Sequence, residues 1–176
     1  MRLFIGTFVQ STEVITKFNQ FRNLTHNFFT GKWVEDENLH FTFHFLGDIP
    51  DEKVPELQEQ LNKYLIEYQE KLIIKSIEGF PNINNPRLIV GKIFSPSKEI
   101  YKLHSTFGRI LKNNNIEFDK RNYRPHLSLI RIKSLSENFS DNLESFRYYD
   151  FGEIQNYTVK LIQSTLTPKG PIYKSL

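Results

Sequence analysis

The sequence predicts one α+β domain built from two similar halves, and three observations point there. Segments whose apolar residues repeat every two positions alternate with segments that repeat every three to four, along the whole chain. A short pattern recurs at half the chain length: His40-Phe-Thr42-Phe and His126-Leu-Ser128-Leu stand 86 residues apart in 176. No low-complexity linker divides the chain, and its length suits a single domain spanning residues 1–176.

Taken in order, residues 2–9 (RLFIGTFV) are β-branched and aromatic and predict a strand. Ser11 is placed to cap a helix carrying Val14, Phe18, Phe21, Leu24 and Phe28 at three-to-four spacing. A strand follows at 39–46 (LHFTFHFL). Pro50 and Asp51 then open a second helix with Val54, Leu57, Leu61, Leu65 and Tyr68 on one side. Strands are predicted near 72–78 and 87–93, separated by a Pro/Asn-rich turn from Phe80 to Pro86. Ser97 precedes a third helix bearing Ile100, Leu103, Phe107, Ile110 and Leu111, which stops at Asn113-Asn114-Asn115. Residues 126–132 read as a strand, 136–149 give no clear period, and 157–165 and 171–175 read as closing strands.

Composition bounds the function. Twenty-five aromatics (16 Phe, 8 Tyr, 1 Trp) within 39% hydrophobic residues supply a core, which excludes disorder. No apolar run approaches the ~20 residues of a membrane span, and Met-Arg-Leu-Phe-Ile-Gly-Thr turns polar too soon for a signal peptide. The absence of cysteine removes disulfides, thiolate-ligated metals and thiol nucleophiles. A soluble, cytoplasmic, disulfide-free protein is expected. The complete lack of alanine, beside abundant Asn, Ile, Lys and Phe, reads as coding bias from an A/T-rich genome. A net charge of +3 is too mild for wrapping nucleic acid over the whole surface. Charge is nevertheless uneven: residues 86–133 carry eleven Lys/Arg against three acids, whereas 51–78 carry seven acids against four lysines. Two readings stay open, solvated helix faces of opposite sign or a basic wall beside a phosphorylated ligand.

Strand alternation puts His40, Thr42 and His44 on one face and Phe41, Phe43 and Phe45 on the other, where a core would lie. The same parity groups His126 and Ser128 with Ile130, backed by Leu127 and Leu129. Two imidazoles on opposite walls suit a reaction in which one donates a proton while the other accepts one, since histidine populates both forms near neutral pH. Hydroxyls beside them can hold phosphate oxygens, and an arginine can offset developing negative charge. Together they fit phosphodiester cleavage without a metal, a strained cyclic phosphate being an apt substrate. His40 and His44 share the i, i+4 spacing of H-E-x-x-H, but on a strand-like run without the intervening Glu, so no metal site and no cofactor are expected. A single His-x-Thr is more often an ordinary half-exposed strand; the second copy gives the pattern weight.

His40-Phe-Thr-Phe-His-Phe-Leu-Gly47 resembles the first H-x-T-x motif of the 2H phosphoesterases, and Tyr123-Arg-Pro125-His126-Leu-Ser128-Leu-Ile-Arg131 resembles the second, P-H-[LI]-T-L-x-R. The likeness is greatest to the RNA 2′,3′-cyclic phosphodiesterase (2′-5′ RNA ligase) group. It extends to the opening Arg2-Leu-Phe-Ile, to Trp33 and to the ending Leu161-Ile-Gln-Ser164-Thr-Leu-Thr-Pro168-Lys-Gly170-Pro-Ile-Tyr173. It implies a bilobal, pseudo-twofold fold with an antiparallel sheet in each lobe, flanking helices and an active-site cleft between the lobes. It also implies metal-independent hydrolysis of RNA 2′,3′-cyclic phosphate ends, tRNA fragments included, to 2′-phosphomonoesters. His40 would be the general acid on the leaving 3′ oxygen and His126 the base that activates water. Thr42 and Ser128 would hold the phosphate, and Arg131 would close the second motif. The family name adds 2′-5′ ligation as the reverse chemistry.

Ser128 replaces the commoner Thr and keeps its hydroxyl, while His44 stands where many relatives carry Lys and reads as a solvated rim residue. Arg131 poses a geometric problem, because an unbroken strand would point it away from His126's face; either a bulge re-aims it or its long side chain curls back. Tyr123, Arg121 and Arg124 could meet a base or flanking phosphates, or Tyr123 could simply pack. His26 and His104 read as surface or satisfied residues, and Trp33 as a core residue or one at the cleft mouth. Other readings keep the same chemistry on a small cyclic nucleotide or a 2′-5′ oligonucleotide, or keep RNA-end binding without catalysis. A monomer is expected.

Overall fold

In the computed structural model, which describes residues 1–168 and 170–176, the chain begins with β1 (Arg2–Phe8), α1 (Thr12–Thr25), β2 (Phe29–Trp33) and β3 (His40–Asp48). It continues through α2 (Val54–Leu61), β4 (Glu67–Tyr68), β5 (Leu72–Phe80), β6 (Leu88–Phe94), α3 (Glu99–Asn113) and β7 (His126–Leu135). A short α4 (Phe139–Glu144) precedes β8 (Asp150–Ile154), β9 (Tyr157–Thr158), β10 (Lys160–Thr167) and β11 (Gly170–Ser175). Lys169, inside the closing motif, lies outside the described residues.

The strands form two antiparallel sheets, ordered β11-β10-β1-β3 and β2-β7-β6-β5-β8, with a small β4-β9 ribbon beside them. The helices cross over. The helix α1 leaves the first sheet after β1 yet lies against β8 of the second, where the Phe21 ring sits 5.3 Å from both Tyr149 and Phe151. The helix α3 leaves the second sheet after β6 and packs on β3 of the first, with Phe107 5.3 Å from Phe43. Phe21 and Phe107 are fully buried, each contributing roughly 1.5–3 kcal/mol from burial. Each half therefore supplies part of the other's core, which ties β3 and β7 into one frame.

Several expected boundaries move. The helix α1 is capped by Ser11, whose Oγ accepts the Val14 amide, but it ends at Thr25. Leu24 is exposed, and Phe28 lies past the helix, packed on the core by its partly buried ring. The helix α2 stops at Leu61; Leu65 and Tyr68 belong to the turn and strand that follow. The unassigned stretch 136–149 holds α4, and β2 and β8 appear where no strand was expected. Short strands such as FTGKW, with Gly and Lys in the middle, carry no period of their own and are held by pairing with β7.

Candidate active site

The two histidine strands share one irregularity. In β3, Ile5 pairs with His44 and Gly6 with Thr42, leaving Phe43 as an extra residue. In β7, Ile89 pairs with Ile130 and Val90 with Ser128, leaving Leu129 extra. Each bulge falls three residues after its histidine, so the repeat seen in sequence extends to backbone geometry. A bulge inserts one residue and reverses the side-chain parity beyond it.

That reversal decides two residues. Arg131 is carried to the solvent-facing side of β7 that also holds His126 and Ser128, and its charge acts on the Tyr173 hydroxyl. The bulge is thus the resolution of its misplaced parity. His44 is turned the other way, which overturns the reading of it as a solvated rim residue sharing a face with His40 and Thr42. It is 3% exposed, its Nε2 donates to the His104 carbonyl at 2.8 Å, and its ring stacks on His104 with centroids 4.0 Å apart. Phe45, expected in the core, is correspondingly 65% exposed, its ring 5.9 Å from Phe4.

His40 and His126 are held in the same way. His40 Nδ1 lies 2.6 Å from the Asn38 carbonyl, and His126 Nδ1 lies 2.7 Å from the Arg124 carbonyl. A carbonyl only accepts, so each Nδ1 carries its proton, and each Nε2 is left for a reacting group. Aromatic rings surround both. His40 has Tyr173 at 5.0 Å, Phe4 at 5.2 Å and Phe8 at 6.1 Å; His126 has Phe80 at 5.3 Å. Burial lowers the proton affinity of both imidazoles from the usual 6.5, partly opposed by those two carbonyls. His126's charge lowers His40 further, so the two groups sense each other across the junction of the sheets. Glu78 raises His126 and Arg124 lowers it.

Thr42 and Ser128 are half-buried on the same faces as their histidines. The Thr42 carbonyl accepts the Tyr123 hydroxyl at 3.1 Å, which links the segment before the second motif to the first motif's backbone. Tyr123 is thereby a packing residue, stacked on His104 with centroids 4.1 Å apart. Arg121 is paired with Asp119, and Arg124 with Glu78 beneath the Phe80 ring. Trp33 packs against Phe18, Phe21 and Phe29, and His26 is exposed on its helix end. Among the basic residues of 86–133, Lys102, Arg109 and Lys112 lie on the exposed side of α3, whereas Lys92 stands opposite His126. The solvated-face reading thus holds for α3, while Lys92 shares its register position with a histidine of the second motif.

The rings around His40 and the carbonyls that fix both tautomers were not legible as site features. Tyr173 had a signal, its place in the closing motif. Among the described residues, no three His, Asp or Glu side chains converge as a metal-ligand set, and no helix is long and apolar enough to cross a membrane.

Two antiparallel sheets with exchanged helices each present one histidine on a matching bulged strand, the arrangement expected of a two-histidine phosphoesterase. Comparison with known proteins agrees. The family model described as LigT-like phosphoesterase matches residues 9–90. An RNA 2′,3′-cyclic phosphodiesterase of Methanocaldococcus jannaschii is 40% identical over 81% of this chain and 80% of its own. One from Aquifex aeolicus is 33% identical over 98% and 93%. The crystal structure of TT0787 of Thermus thermophilus superposes with a TM-score of 0.82 at 24% identity, covering 100% of this chain and 95% of that one. That of E. coli LigT complexed with 3′-AMP gives 0.72 at 18% identity, covering 99% and 94%. The chain belongs to the LigT-like phosphoesterase family, and it is an enzyme.

Proposed function

We propose that the protein hydrolyses RNA 2′,3′-cyclic phosphate ends to 2′-phosphomonoesters without a metal, with His40 and His126 as its proton-transfer pair. The observation that carries the reading is the matched pair itself: two half-buried imidazoles on equivalent bulged strands, each with its Nδ1 proton fixed by a backbone carbonyl. The names of the relatives support the substrate class.

In this reading neutral His126 takes a proton from water through Nε2 as the water attacks phosphorus. Protonated His40 gives its Nε2 proton to the departing 3′ oxygen, and the 2′ oxygen keeps the phosphate. The net reaction adds one water and leaves the pair with its protons exchanged. The hydroxyls of Thr42 and Ser128 donate to non-bridging oxygens, and Arg131 offsets the negative charge gathering there. With a 5′-hydroxyl in place of water the same steps form a 2′-5′ linkage, so ligation is the companion activity. The protein acts as a monomer in the cytoplasm.

The test is hydrolysis of an oligonucleotide ending in a 2′,3′-cyclic phosphate, with EDTA present, by wild type, His40→Ala and His126→Ala. Expected are turnover to a 2′-phosphate and a loss of ~10²–10⁴-fold in each variant. Binding without turnover by wild type would favour an RNA-end-binding role instead.

A further inference from the structure

The face of the second sheet that carries His126 continues well past it. Lys92 of β6 is directly opposite His126 on β7, and Glu78 of β5 is opposite Val90, itself opposite Ser128. Residues that oppose each other share a face, so Lys92 and Glu78 extend the surface that carries His126 and Ser128. Above it opens a cavity of about 430 Å³, with Glu78 and Lys92 in its floor. The turn after β5 forms one wall, and α4 with the residues that follow it forms the other. The volume falls among the roughly 300–1,000 Å³ of small-ligand sites.

Nothing in the hydrolytic steps uses this space, since water needs no pocket of that size. Its lining has the chemistry of a nucleotide site. Tyr148 is 70% exposed at the rim, and the Arg147 guanidinium stands 5.7 Å from its ring centre. Asn82 and Asn84 bring side-chain amides along the opposite wall. Lys92 and Arg124 bring positive charge next to His126; Arg124 is paired with Glu78, and Arg147 with Glu144. An exposed aromatic, amide groups and a cation beside the reacting phosphate are the parts that hold a base and its phosphate.

We infer that this cavity, beside the sheet that carries His126, is a subsite for a second nucleotide, with its base stacked on Tyr148. The inference rests on the proposed RNA cyclic-phosphate activity. The same chemistry has two sources, the nucleotide preceding the terminus in the same strand or a separate nucleotide.

The experiment measures KM for a mononucleotide 2′,3′-cyclic phosphate and for a dinucleotide with the same terminus, using wild type, Tyr148→Ala and Tyr148→Phe. The exposure of Tyr148 keeps the alanine variant folded. If the strand's own nucleotide fills the site, Tyr148→Ala raises KM for the dinucleotide alone, by about 5- to 150-fold, the span of a single base–aromatic stack. Tyr148→Phe, which keeps the ring, retains the wild-type value. If a separate nucleotide fills it, dinucleotide KM stays constant. A nucleoside 5′-monophosphate then binds wild type without displacing the mononucleotide, and Tyr148→Ala abolishes that binding. Equal behaviour of wild type and Tyr148→Ala in every arm overturns the subsite. Should wild type turn over neither compound, the proposed activity fails separately, and calorimetric titration of the dinucleotide into wild type and Tyr148→Ala still reads the subsite: equal affinities reject it.

Discussion

Replacing Tyr123 by Phe removes one hydroxyl and nothing else, and that hydroxyl bridges the two motifs. Tyr123 lies three residues before His126, and its Oη donates to the Thr42 carbonyl, two residues past His40. Its ring remains in place in the variant, stacked on His104 at 4.1 Å with planes 9° apart. A net hydrogen bond contributes about 0.5–1.5 kcal/mol, and a carbonyl left dry costs more. For a chain of this size each kcal/mol lowers Tm by roughly 2–4 °C, so Tyr123→Phe is expected to melt about 2–6 °C below wild type. The same bond aligns Thr42 with His126, and a loss of about 1 kcal/mol expressed in the transition state is roughly fivefold in rate. We expect kcat on the cyclic-phosphate oligonucleotide to fall about three- to tenfold while KM stays within about twofold, because the change is in alignment of the reacting groups. Thermal melting and steady-state kinetics on one preparation suffice. A lowered Tm with unchanged kcat would refute the alignment argument and leave the bond a purely structural one.

Further outcomes follow from the electrostatics and the buried groups. In the proposed mechanism the reactive form has one imidazole protonated and one neutral, and both are held below 6.5 by burial, so the bell of kcat/KM is expected to peak on the acidic side of 6.5. Glu78→Gln removes the charge that raises His126 and frees Arg124, which lowers it; both effects have one sign, and the bell should move to lower pH. A bell centred well above 6.5 would contradict the burial of the pair. His104 is lowered to about 4, first by burial and then by the charge of His44, with Asp119 opposing. Its folded value lies under its unfolded one, so its contribution to stability is present above 6.5 and is lost as pH falls through about 4. Denaturation of His104→Gln at several pH values should show a shallower loss across that window, and an unchanged slope would exclude His104 as its source. Glu70, 5% exposed, accepts hydroxyls from Ser95, Ser97 and Tyr157, with Tyr157 at 2.6 Å. Glu70→Ala strands those hydroxyls and should cost at least ~2 kcal/mol of stability by urea titration, with kcat at saturating substrate unchanged.

Much of the site was legible because its signals are local. The alternation in His40-Phe-Thr42-Phe and His126-Leu-Ser128-Leu needs only a strand with one apolar face, and both strands have it up to the third residue after the histidine. The expected α+β class and antiparallel sheets hold for the same reason: runs such as residues 88–94 and the helix from Ile100 to Leu111 carry enough apolar residues to declare their own period. Beyond those points the partner strands decide which way a side chain faces. His44 and Phe45 exchange their expected environments because Phe43 is an extra residue opposite β1, and no side chain in the motif announces that.

By itself, then, the sequence determined the chemistry present: two histidines, two hydroxyls and an arginine on apolar-backed strands, in a chain with a core large enough to hold them. Tertiary structure alone decided where that chemistry points. Two bulges brought Arg131 to the histidine's face and sent His44 inward, and the crossing of α1 and α3 bound the two sheets into one frame. The carbonyls of Asn38 and Arg124 chose the tautomers. The reason is physical: side-chain type and period belong to one strand, whereas register and bulge position are set by the strand paired beside it, which lies far away in sequence.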